Sequence, residues 1–182
     1  MTPKDPAPDD PAPEDTPAPR TLILLRHAKS AWPQDIADLQ RPLAGRGRRD
    51  APAVGRWLRQ QAPTIDLAVC SPAVRARQTW ELAAAQLDDE PPVRYDERLY
   101  GASLYDTSAT EVFLAVTREL PAHASAVLLI GHNPSLEDFL ELLTGATEVL
   151  KTSAIAVMTT PGTWEEASPG SWTLEALAMP RG

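Results

Sequence analysis

Three short segments carry groups that could hold and attack an oxyanion, and each directly follows an apolar run: Arg26-His27, Ser71-Pro72-Ala73-Val74-Arg75 and Gly131-His132-Asn133-Pro134. A neutral imidazole with one free ring nitrogen is a nucleophile, guanidinium groups neutralise phosphate-type oxygens, and helix N-terminal amides form a ready anion site. Arg26, Arg75 and His132 are the expected oxyanion ligands around His27, which would attack phosphorus in line. For that role the other nitrogen of His27 should donate to a backbone carbonyl or a similar acceptor. Lys29 and Asn133 adjoin the two histidine segments and are expected to contact the bound group. Glu97 is the candidate proton donor to a leaving oxygen if burial raises its carboxyl pKa, and an exposed surface glutamate is an equally good reading.

These groups need elements that carry them to one place. Leu22-Ile23-Leu24-Leu25 is aliphatic without alternation, which fits a strand covered on both faces in a parallel α/β sheet. Leu67-Ala68-Val69-Cys70 and Ala126-Val127-Leu128-Leu129-Ile130 read the same way, so three buried strands each end in a cation or an imidazole. Ligands of such sheets bind beyond the carboxyl ends of the strands. Helices are predicted from Leu43 to Gln61, with Pro52 kinking or starting it, from Ser71 as N-cap with Pro72 in the first turn, from Thr107 to Leu120, and after His132 with Asn133 as a possible cap. Val93 to Tyr100 has strand-like alternation followed by an irregular loop over Gly101, Ser103 and Asp106. The segments 155–158 and 172–177 predict a marginal hairpin joined through Pro161 to Gly170. The loop 31–42 crosses the first strand's end and should border the site.

Composition limits the alternatives. The chain has 182 residues and a formal charge of -8, which argues against nucleic-acid or anionic-membrane partners because those reward clustered Lys and Arg. The arginines of 46–59 read as a solvated helix face. Residues 1–20 hold seven prolines and five acidic residues and cannot bury enough surface to order themselves, so a disordered tail precedes one domain over 21–182. One cysteine and three histidines offer no zinc set, and no Gly-rich nucleotide loop is present, so no cofactor or metal is expected. Cys70 is expected to be a core residue and His123 a solvated one. With no apolar run long enough to span a bilayer and no secretory leader pattern, the cytoplasm is the expected compartment.

Leu25-Arg26-His27-Ala28-Lys29-Ser30, the Ser71 to Thr79 segment and Gly131-His132-Asn133-Pro134 together resemble the histidine phosphatase (phosphoglycerate mutase-like) superfamily. With Trp32, Arg41-Pro42-Leu43 and Leu99-Tyr100, they resemble its compact SixA-type phosphohistidine phosphatases. The resemblance implies a three-layer α/β/α fold with a mostly parallel sheet, His27 as phospho-acceptor, and Arg26, Arg75 and His132 as phosphate ligands. Ala28 stands where mutase-like members commonly carry glycine and Pro33 where they commonly carry asparagine, which argues against a mutase. The expected partner is a phosphorylated protein, such as a histidine-phosphotransfer domain, or a small phosphate ester. A small-molecule phosphomonoesterase is the alternative enzyme, and a non-catalytic phosphoprotein-binding module is the alternative of another class.

Overall fold

The computed structural model describes residues 19–101 and 109–182. Six strands form one sheet in the order β3-β2-β4-β1-β5-β6: β1 Arg20–Arg26, β2 Leu67–Cys70, β3 Val93–Tyr95, β4 Ala126–Gly131, β5 Ile155–Thr160 and β6 Thr173–Ala178. β1, β2, β3 and β4 pair in parallel, while β5 and β6 add an antiparallel margin beside β1. The helices are α1 Gly45–Gln61, α2 Val74–Ala84, the single turn α3 Arg98–Gly101, α4 Ala109–Arg118 and α5 Ser135–Thr144.

The aliphatic run of β1 is buried because its side chains serve two cores. Leu22 and Leu24 pack with Phe113, Phe139 and Leu140 of α4 and α5, whereas Ile23 and Leu25 pack with Val54, Leu58 and Trp80 of α1 and α2. Successive residues of a strand face opposite ways, so a sheet covered by helices on both sides demands apolar residues at every position. This is the three-layer α/β/α arrangement expected.

Several local expectations need correction. β1 begins at Arg20, whose ladder with Thr160 recruits a residue assigned to the tail; residues 1–18 lie outside the described residues. α1 runs through Pro52, the helix having begun seven residues earlier at Gly45. The strand-like stretch at 93–100 is a strand only over Val93–Tyr95, because Asp96 turns the chain and caps α3 through a bond to the Arg98 N–H. Ser103, Asp106 and the predicted helix start at Thr107 lie outside the described residues. α2 starts at Val74, and Ser71 is not its N-cap. α5 starts at Ser135 behind Pro134, and Asn133 directs its side chain elsewhere.

Candidate active site

Strand register builds the site. Leu25 pairs with Ile130 and Ile130 with Cys70, so β1, β4 and β2 end on one level, with Arg26 beside Gly131. His27 and His132 each lie one residue further along adjacent parallel strands, whose spacing is about 4.8 Å. Their ring centroids are 5.0 Å apart.

Both imidazoles are buried and held by defined partners. His27 Nδ1 lies 2.7 Å from the Ala28 carbonyl, to which Nδ1–H donates, leaving Nε2 with its lone pair. The Ala28 peptide is itself fixed, its N–H donating to Thr79 Oγ1 at 3.0 Å, while that hydroxyl donates to the Arg75 carbonyl at 2.6 Å. His132 Nε2 lies 2.7 Å from Ser71 Oγ, which also accepts the Ala73 N–H at 3.3 Å. His132 Nδ1 is buried with no hydrogen-bond partner among the described residues, and a neutral ring with its proton there takes the Ser71 hydroxyl hydrogen at Nε2. Burial, seconded by the nearby arginine charges, pushes His27 down to about 3. Burial and the neighbouring His27 push His132 to about 2. Both rings are therefore neutral at physiological pH.

The cations arrive from separate elements. Arg75 projects from the first turn of α2 and bonds the Asp38 carbonyl at 2.7 Å and the Asp38 carboxylate at 3.0 Å. Arg26 donates to the Leu150 carbonyl at 2.7 Å, and Asn133 Nδ2 donates to the same oxygen at 2.8 Å. Leu150 is also held through its N–H, which donates to the Glu137 carboxylate at 2.7 Å. The loop between β1 and α1 adds Arg41, which is buried and bonds Ser30 Oγ, the Ala31 carbonyl and Asp38. α1 approaches this loop so closely that a Cβ on Gly47 would overlap the Lys29 carbonyl.

These groups line a cleft of about 320 Å³: Arg26, His27, Lys29, Ser30, Trp32, Asp38, Arg41, Arg75, Tyr100, His132, Asn133 and Thr152. Six of the seven residues singled out in the sequence meet here, with Lys29 exposed at the rim. Glu97 does not; it is exposed in the turn before α3 and is not among the cleft-lining residues. Among the described residues the carboxylate that lines the cleft is Asp38. Partial burial would raise its pKa, but hydrogen bonds from Arg41, Arg75 and Tyr100 and the Arg75 charge outweigh that and hold it below the usual range.

Asp38, Tyr100, Trp32, Thr152 and the Ser71 contact to His132 were not assigned site roles from the sequence. Asp38 stands three residues before Arg41, a spacing that permits their ion pair, but nothing in a mixed-polarity loop singles it out. Cys70 is a core residue whose thiol burial pushes upward, and His123 is exposed, both as expected. Among the described residues, four cations and one carboxylate converge on two neutral imidazoles, an arrangement that can bind a tetrahedral oxyanion and present Nε2 of His27 to it.

Known proteins resemble this chain in sequence and in fold. The model of the histidine phosphatase superfamily (branch 1) matches residues 22–154. An uncharacterized protein of Mycobacterium tuberculosis is 39% identical over 168 residues, spanning 86% of this chain and 100% of that protein. Among solved structures, one assigned as the phosphohistidine phosphatase SixA of Nakamurella multipartitia is 32% identical, with a TM-score of 0.79 and coverage of 91% of this chain and 99% of that one. A second, assigned as SixA of Agrobacterium tumefaciens, is 26% identical with a TM-score of 0.70, covering 88% and 98%.

Proposed function

The chain belongs to branch 1 of the histidine phosphatase superfamily and is a phosphatase, and from that premise we propose that it removes phosphoryl groups from phosphohistidine on a protein, through a phosphoenzyme formed on His27. The observation that carries the chemistry is the bond from His27 Nδ1–H to the Ala28 carbonyl, which leaves Nε2 as a neutral nucleophile. Its lone pair forms a nitrogen–phosphorus bond as the bond from phosphorus to the leaving nitrogen breaks. Arg26, Arg75 and the Nδ1–H of His132 stabilise the equatorial oxygens, with Lys29 and Asn133 at the margin of the group. Arg75 exchanges its bonds to Asp38 for bonds to the phosphoryl oxygens. Water then attacks phosphorus of the phosphohistidine, releasing inorganic phosphate and restoring the imidazole.

The preference for phosphohistidine over an ester rests on the proton inventory. An alkoxide leaving group needs an acid, and among the described cleft residues the one carboxylate, Asp38, is ionised and bonded to Arg41, Arg75 and Tyr100. A phosphorylated imidazole brings its own proton on the ring and departs as a neutral imidazole, so it places little demand on the site. On this reading Glu97, outside the cleft, is dispensable: Glu97→Gln should retain kcat/KM within about twofold.

The test is kcat/KM on a histidine-phosphorylated phosphotransfer domain and on small phosphomonoesters, for the wild-type protein and His27→Ala, with a denaturing alkaline quench to trap the phosphoenzyme. Preference for the domain and an acid-labile phosphoryl group on His27 support the reading. Residual wild-type turnover in His27→Ala would overturn the mechanism, and preference for an ester would overturn the substrate.

A further inference from the structure

Six large apolar side chains are exposed among the described residues, and two of them, Trp32 at 74% and Ile36 at 43%, stand on the loop between β1 and α1 that helps to build the cleft. Trp32 is not loose. Its ring lies over the Arg41 guanidinium, with 3.1 Å from Cζ to the ring centroid, and Arg41 is buried and bonded to Ser30, Ala31 and Asp38. One face of the indole is therefore covered by a fixed cation while the other meets solvent. A large aromatic held in place before its partner arrives gains contact area with little loss of conformational freedom, which is why tryptophan is enriched among binding anchors.

Resting on the reading of this protein as a phosphatase for phosphohistidine on proteins, we propose that Trp32 and Ile36 form the docking platform for the substrate protein and receive apolar side chains that flank its phosphorylated histidine. Continuity with the cleft identifies the occupant. Trp32 both lines the cleft and is 74% exposed, so the surface it presents to solvent is continuous with the cleft that holds His27. Ile36, four residues on, is not among the cleft-lining residues, so a ligand that fits a cleft of about 320 Å³ does not use it. A partner that covers both must extend across the outer loop surface, as a protein does and a small ester does not. Lys29 is exposed at the same rim, so the platform combines an apolar surface with a cationic entrance.

The platform is tested with steady-state kinetics of Ile36→Ser, Trp32→Ala and Trp32→Phe on two substrates, a histidine-phosphotransfer domain carrying phosphohistidine and free phosphohistidine. Ile36→Ser should raise KM for the domain about three- to tenfold and leave turnover of free phosphohistidine unchanged. Trp32→Ala should raise KM for the domain about thirtyfold, the loss typical of a strong anchor, and Trp32→Phe should recover most of it. Equal losses on both substrates, or no loss on the domain, overturn the platform while leaving the phosphohistidine reading intact. A change in sedimentation on Ile36→Ser would assign this face to a second copy of the chain and likewise overturn it. A wild-type protein that hydrolyses only small esters overturns the parent reading, and the platform with it.

Discussion

Acidification should unfold this protein through its own two site histidines. In the folded state burial holds His27 near 3 and His132 near 2, so both remain neutral well below the ordinary value of 6.5. In the unfolded chain both titrate near 6.5. As pH falls below 6.5 the unfolded chain takes up two protons that the folded chain refuses, so stability is lost on acidification and regained as pH rises, the gain being complete above 6.5. At pH 5.0 the gap of about 1.5 pH units corresponds to about 2 kcal/mol per ring and about 4 kcal/mol for the pair, against a domain stability on the order of 5–15 kcal/mol. The carboxylates held low, Asp38 and Asp96, act at lower pH, since their contribution is present above the ordinary carboxylate value and disappears as pH falls through the folded one. The assay is urea unfolding between pH 7.5 and 5.0 for the wild-type protein and a His27→Asn/His132→Asn double variant. The wild type should lose about 4 kcal/mol more than the double variant across that interval. Equal slopes would refute the claim that both imidazoles are held neutral.

Three further perturbations probe the supports of the site. Arg75→Ala should lower kcat/KM about 10²- to 10³-fold, as the loss of a positioned charge does elsewhere, and Arg75→Lys should recover only part because it cannot donate in a fork. Ser71→Ala leaves the buried Nε2 of His132 unpaired and unfixes its tautomer, so kcat/KM for free phosphohistidine should fall about tenfold, with Ser71→Thr restoring it. Gly47→Ala drives a Cβ into the Lys29 backbone carbonyl, two residues after His27, and should cost about 1–3 kcal/mol in urea unfolding together with activity.

Much of the positioning was legible in the chain because it is local. Unbroken aliphatic runs specify strands buried on both faces, and the residues at their ends must then emerge at the carboxyl edge of a parallel sheet; that logic placed Arg26, His27, Arg75 and His132 in one cleft. Arg75 needed only the short helix after β2 to bring it within one turn of the strand's end. The errors arose where a residue's role depends on a distant partner. Ser71 has a capping residue's chemistry, but register brings His132 to 2.7 Å, and the hydroxyl serves that ring instead. Asn133 likewise turns to the Leu150 carbonyl, 17 residues away, which also holds Arg26.

The sequence by itself determined the main strands and helices, their order and which histidines and cations would meet at the strand ends, since hydrophobic period and residue type suffice for those. Only the tertiary structure decided which nitrogen of each histidine is left without a partner among the described residues, that Asp38 lines the cleft while Glu97 does not, and that Trp32 stands open over Arg41. Those outcomes are set by contacts between loops and strand ends far apart in the chain, where a hydrogen bond of a few tenths of an ångström tolerance chooses among residues that local sequence leaves equivalent.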